Sequence, residues 1–313
     1  MTRYRGALPQ LGERLFLADG GIETTLIFHD GLELPHFAAF HLLKTREGEA
    51  ALRKYFRTYA DVAKQVGTGL ILESATWRAS ADWGTKLGYS AEALAAANRR
   101  AISLLEEIRR SYDSPRTPVV VSGCVGPRGD GYVPDKTMSA TEAHAYHDEQ
   151  VRVFGEAGAD MICAMTMNYV EEAVGIVWAA RGAGLPVAIA FTVETDGRLP
   201  TGQTLPAAIE EVDAATGGYP AYFMVNCAHP THFGDVLLKG GPAVARIRGL
   251  RANASRMSHA ELNEAAELDA GDPAELGAQH ADLKRRLPHI TVMGGCCGTD
   301  HRHVEAIARA CLG

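Results

Sequence analysis

The 313-residue sequence predicts a closed (β/α)8 barrel, and three observations carry that expectation. Short apolar runs alternate with longer stretches of helical periodicity along nearly the whole chain, the pattern of a parallel sheet with helical crossovers. The runs VVVSG at 119–123, VAIAF at 187–191 and YFMVN at 222–226 show no polar alternation, as expected of strands covered on both faces. Eight such runs can be placed, the number that closes a barrel.

The first strand is placed at Leu15–Ala18. The turn after it, Asp19-Gly20-Gly21-Ile22-Glu23-Thr24-Thr25, lacks the full glycine pattern of a dinucleotide site, which weighs against an open doubly wound sheet. A helix over Ala50–Val66 ends at Gly67, a residue suited to the left-handed cap, and a strand follows at Gly69–Glu73. Ser90, with Glu92 and Ala93 behind it, caps a helix over Ala91–Arg110 that leads to a strand at Pro118–Ser122. A helix over Ala140–Ala157, stopped by Gly158, precedes a strand at Met161–Ala164. The helix Val170–Gly182, with Gly184 beyond it, precedes Pro186–Thr192, and strands at Ala221–Asn226 and Arg246–Leu250 come next. The polar stretch Ala252–Gly277, rich in Ala, Glu and Asp, reads as a long excursion, part helix, before the last strand at Ile290–Met293 and the helix His301–Ala310. No repeat, low-complexity tract or linker divides the chain, so one domain over 1–313 is expected.

With 46% hydrophobic residues the chain can bury a large core. Its net charge of −7 argues against nucleic acid or an anionic membrane as a partner. The local exception, Arg246, Arg248, Arg251 and Arg256, reads as a strand and its exit bearing solvated arginines. The N-terminus has no apolar leader core, and no stretch approaches the ~18 apolar residues of a membrane span, so a cytoplasmic protein is expected. Six cysteines in that compartment should stay reduced and serve as ligands, nucleophiles or core fillers.

Three of them fall where a barrel builds its active site. Cys227 follows the strand ending at Asn226, and Cys296 and Cys297 follow the last strand across Gly294-Gly295. Adjacent residues of a regular strand point to opposite faces, so two neighbouring sulfurs can meet at one ion only if the backbone leaves strand geometry. Gly294, Gly295 and Gly298 make that turn cheap. Three thiolates suit Zn2+ and leave its fourth position open, as catalysis needs. The competing readings are buried small hydrophobes for the pair and packing for Cys227. Cys124 after the third strand would turn the site into a closed structural one if it were a fourth ligand. Cys163 and Cys311 read as core and surface-helix residues, while His229 and His232 read as a loop and helix-cap segment. His303 reads as a residue that packs or orients the cysteine loop.

These motifs resemble the homocysteine S-methyltransferases over nearly the whole chain: LADGGIETTL, VSGCVGPRGDGY, EAGADMICAM, FMVNCAHP and GGCCGTDHRHVEAI. The pairing of Asn-Cys after the sixth strand with GGCCG after the eighth is its most specific part. The resemblance implies a (β/α)8 barrel and a zinc site made of Cys227, Cys296 and Cys297. It implies that Asp19 and Gly20 lie near the amino-acid end of the thiol substrate. Asn226 falls on the Asn beside the first cysteine, and Thr76 and Trp77 on the loop facing the reacting sulfur. On the residues alone, Asp19 can equally be a turn or cap aspartate and Trp77 plain packing; an indole would also attract a cationic donor. Many family members carry a glutamate at the end of the fourth strand for the substrate's ammonium, and here Met165 stands there. A thioether cannot pair with an ammonium as a carboxylate does. Glu194 or Glu73, each at the mouth of another strand, would compensate; otherwise the thiol is not homocysteine.

The implied reaction is methyl transfer to a zinc-bound thiol, homocysteine giving methionine. A stand-alone barrel fits a small sulfonium donor, S-methylmethionine or S-adenosylmethionine, better than folate with cobalamin or betaine, whose enzymes carry further sequence. A zinc hydrolase and a non-catalytic structural-zinc barrel are the rival readings.

Overall fold

The computed structural model describes residues 2–134, 137–265 and 267–313, and its eight parallel strands close into one barrel in sequence order. These are β1 (Phe16–Leu17), β2 (Gly69–Glu73), β3 (Val119–Val125), β4 (Met161–Met167), β5 (Val187–Phe191), β6 (Tyr222–Asn226), β7 (Ile247–Ala252) and β8 (Val292–Gly295). Closure comes from β1, whose Phe16 pairs with Gly69 on one side and Val292 on the other. Around the barrel run α1 (Arg46–Val66), α2 (Ala81–Lys86), α3 (Ala91–Tyr112), α4 (Ala140–Ala157), α5 (Val170–Gly182), α6 (Leu205–Thr216), α7 (Pro230–Leu238), α8 (Pro242–Ala245), α9 (His259–Glu264), α10 (Pro273–Arg286) and α11 (His301–Leu312).

The caps read from the sequence form. Ser90 accepts a hydrogen bond from the Ala93 amide, and Gly67 and Gly158 close their helices at φ 77° and 96°. The excursion after β7 is part helical, holding α9 and the start of α10; Ala266 lies outside the described residues. Four strands outrun their expected ends, β7 and β8 by two residues each and β3 and β4 by three. β3 continues to Val125 and β4 to Met167, so Cys124 and Met165 belong to strands rather than to loops. β4 manages this by a register shift between Ala164 and Met167 against β5.

The inward faces of the strands form their own apolar cluster, with Phe16, Ile71, Val120, Met161, Tyr222, Met224 and Val292 stacked inside the barrel. The outward faces join the helices in the larger core. The amino-terminal segment seals the far end of the barrel: Gln10 is fully buried there and donates to Met161 Sδ at 3.1 Å. Every side chain of functional interest therefore collects at the opposite, carboxyl end of the strands. Among the described residues no helix is long and apolar enough to cross a membrane.

Candidate metal centre

Cys227 stands one residue past β6 with φ 52°, a left-handed conformation that costs a residue bearing Cβ. Its amide donates to the Arg251 carbonyl at 3.1 Å. Its carbonyl lies 2.6 Å from His259 Nε2 and accepts from Thr192 Oγ1 at 3.4 Å. His259 opens α9, and its Nδ1 faces Glu194 at 3.1 Å. The polar excursion thus holds the first cysteine in a strained backbone state, something that no local sequence signal announces.

The other two cysteines ride on the glycine turn. The Cys296 amide donates to Ala252 at 2.8 Å, and the Cys297 carbonyl accepts from Ala254 at 3.0 Å, which pins the turn to the exit of β7. Gly298 has φ 79° and donates to Thr24 Oγ1 at 3.0 Å. A side chain at Gly295 would run into Thr299, whose hydroxyl donates to the Cys296 carbonyl at 2.7 Å. The glycines thus do what the spacing required: they turn two adjacent sulfurs to one side.

The Sγ atoms of Cys227, Cys296 and Cys297 lie within 4.8 Å of one another. Cys227 and Cys296 are joined as a disulfide across a Cα–Cα distance of 5.3 Å, and Cys297 Sγ is 4.0 Å from Cys227 Sγ. This corrects the expectation that all six cysteines are reduced. Sulfurs brought near enough to share an ion are near enough to oxidise to one another. The donor set fits a thiophilic metal: three sulfurs, no carboxylate among them, and a side facing the open mouth. Cys124 is not part of this group; it faces the barrel interior and pairs in register with Cys163.

Asn226 ties the cysteines to the bend of β4. It accepts from the Thr166 amide at 3.0 Å, donates to Thr166 Oγ1 at 2.9 Å, and sits 4.0 Å from Cys296 Sγ. Thr166 itself has φ 62°, an outlier for a β-branched residue. Tyr132, from the loop after β3, lies over His259 with ring centroids 4.2 Å apart and brings its hydroxyl to 3.8 Å from Cys297 Sγ. Sequence reasoning missed Tyr132, His259 and Thr166, and no local signal marks them: His259 sits in a polar stretch and Thr166 in the part of β4 beyond its expected end.

The floor of the mouth is charged. Asp19 is 5% exposed, and its two carboxylate oxygens meet Arg251 and the Tyr55 hydroxyl, the latter at 2.8 Å. Arg251 also donates to the Gly295 carbonyl at 3.2 Å. This corrects the solvated reading of Arg251: β7 is inward-facing there, and a buried guanidinium is held by a buried carboxylate. Arg256 is exposed, as expected. Gly20 allows the Tyr59 hydroxyl and Thr299 to approach closely. Burial pushes the Glu73 carboxyl, and the Glu23 carboxyl in the turn after β1, up to about 7, against the pull of nearby arginines.

Thr76 donates to the Cys124 carbonyl at 2.7 Å, and Trp77 donates to the Met165 carbonyl at 3.4 Å. The Arg78 guanidinium stacks on the Trp77 ring at 4.0 Å, so one face of the indole already holds a cation. Met165 packs in the inner cluster. His229 caps α7, with its ring lowered to about 4 by burial, and His303 bridges Asp300 and the Ala270 carbonyl beneath the cysteine loop.

A closed parallel barrel with three cysteine sulfurs converging at its carboxyl mouth has the form of a barrel enzyme whose site lies at that end. Residues 16–311 match the homocysteine S-methyltransferase family, and the chain belongs to it. It is 25% identical over 314 residues to "Homocysteine S-methyltransferase 4" of Zea mays, an alignment covering 94% of this chain and 88% of that one. It is 27% identical over 187 residues to "Betaine--homocysteine S-methyltransferase 1" of Rattus norvegicus, covering 54% and 44% respectively. Among solved structures, the homocysteine methyltransferase MmuM from Escherichia coli has the same fold. Its oxidised form superposes with a TM-score of 0.75 at 19% identity, over 98% of this chain and 99% of that chain. Its metallated form gives 0.74 at 18% identity, over 97% and 98%.

Proposed function

We propose that this protein transfers a methyl group from a small sulfonium, S-methylmethionine or S-adenosylmethionine, to the sulfur of a thiol acceptor, with homocysteine the first acceptor to test. The observation that supports this most is the convergence of three cysteine sulfurs at the ends of β6 and β8 in a chain of this family. Cys227, Cys296 and Cys297 would hold zinc in their reduced state. Zinc bound there supplies a lowered thiol pKa to a fourth sulfur ligand without quenching its electron density, since three thiolates already outweigh the ion's charge.

The chain's own residues do the rest. His259 and Thr192 fix the Cys227 carbonyl, and Asn226 fixes the wall beside Cys296. The neutralised pair Asp19–Arg251 gives the mouth a rigid polar floor. In the transfer the methyl–sulfur bond of the donor breaks and its electrons stay on the donor sulfur, which becomes a neutral thioether. The new bond forms on the acceptor sulfur, which loses its proton to solvent.

The test is methyl transfer to homocysteine from each donor with reduced, zinc-loaded protein and a Cys297→Ala control. Turnover that disappears in the control is expected. A correctly loaded three-cysteine site that transfers from neither donor contradicts the proposed reaction.

A further inference from the structure

An amino-acid thiol brings an ammonium beside its sulfur, and a buried ammonium needs a carboxylate that no other cation holds. The carboxyls of the mouth differ in what already occupies them. Asp19 is taken by Arg251 and Tyr55. Glu194 is 35% exposed and faces His259. Glu23, on the turn after β1, has both Arg78 and Arg251 acting on its charge. Glu73 is different. It ends β2, two residues after inward-facing Ile71, and so points into the barrel. It is 7% exposed, and among the described residues its Oε2 has no hydrogen-bond partner. Few buried acceptors are left in that condition in folded proteins. Cys124, Met165 and Arg251 share that inner wall, each nearly buried like Glu73 itself.

Resting on the methyl transfer proposed above, we propose that Glu73 binds the ammonium group of an amino-acid thiol acceptor, from strand β2, in place of the carboxylate that Met165 on β4 does not provide. The unpartnered oxygen then receives its donor from the substrate. Glu73 is a specificity residue in this account: it selects the acceptor and takes no part in breaking or making the methyl–sulfur bond.

The test compares homocysteine with 4-mercaptobutyrate, the same carbon chain without the ammonium. Two readouts are taken on reduced protein: dissociation constants from the thiolate-to-metal absorption of the cobalt(II)-loaded form, and KM against kcat for the zinc-loaded form. The wild type should favour homocysteine. Glu73→Gln should weaken homocysteine by roughly tenfold to a hundredfold, mainly in KM, and leave 4-mercaptobutyrate unchanged. Glu73→Asp, which keeps the charge with a shorter reach, should show a smaller loss of the same kind. Adding Met165→Glu to Glu73→Gln should restore part of the preference. The assignment is overturned if Glu73→Gln keeps the wild-type preference, if Glu23→Gln loses it instead, or if the wild type favours 4-mercaptobutyrate. A wild-type cobalt spectrum that neither thiol alters overturns the thiol-binding reading itself, and Glu73 with it. That outcome is distinct from one in which both thiols bind without discrimination, which sinks Glu73 alone.

Discussion

At the scale of single residues, the site depends on side chains that hold backbone in unfavourable states. Cys227 and Thr166 both have positive φ, and Asn226 bridges Thr166 to Cys296. Asn226→Ala removes two buried hydrogen bonds from the Thr166 bend and should cost about 1–3 kcal/mol in urea unfolding, with a measurable loss of metal affinity. Arg251→Leu should cost more, about 3–5 kcal/mol by the same measurement, because it leaves the Asp19 carboxylate buried with its cation gone. A loss below about 1 kcal/mol in that variant would mean that Asp19 is solvated and the ion pair is incidental. Cys296 and Cys297 stood out in the sequence because glycines flank them, whereas Cys227 and Asn226 drew attention through the family resemblance; the structure brings these side chains together. Arg251 was not legible in the sequence. An arginine in a strand reads as surface until the barrel closes and its neighbours on β8 and β1 become visible.

At the scale of elements, the glycine turn after β8 is the part that matters most. Gly298 combines φ 79° with the Asp269 carbonyl pressing where a side chain would stand. Gly298→Val should therefore destabilise the fold by at least about 1–3 kcal/mol and abolish metal retention on a desalting column, while Gly88→Ala, at a positive-φ glycine with open space around it, should leave metal content intact. The strands were legible to within a few residues because burial on both faces writes a continuous apolar run. Their ends at the mouth were not. Cys124 and Met165 are carried into β3 and β4 by pairing with neighbouring strands, an interaction between segments far apart in sequence. The role of α9 was invisible for the same reason: His259 lies in a polar stretch with no periodicity that separates it from any surface helix, and only its contact with the Cys227 carbonyl distinguishes it.

At the scale of the whole molecule, closure of the barrel makes oxidation and metal binding exclude each other. With Cys227 and Cys296 joined, only Cys297 of the three keeps a free thiol, so protein isolated in this state should take up less than one equivalent of zinc until a reductant is added and close to one afterwards. Uptake of a full equivalent without reduction would remove Cys227 and Cys296 from the ligand set. Burial also shapes the response to acid. His280 on α10 is fully buried, and desolvation lowers its ring from 6.5 to about 4. The unfolded chain therefore binds a proton that the folded chain refuses between those values, and the stability tied to a neutral His280 falls as pH drops from 6.5 towards 4. His280→Leu should flatten that part of a stability–pH curve measured by thermal unfolding; an unchanged slope would place the effect elsewhere.

The central claim is that three cysteines hold zinc with its fourth position open to a thiol. X-ray absorption at the zinc edge of reduced, loaded protein tests it most directly, recorded with and without homocysteine. The expected result is three sulfur ligands and one light atom alone, and four sulfurs once the thiol is added. Four sulfurs before any thiol is added, or an oxygen or nitrogen ligand that persists in its presence, would contradict the account.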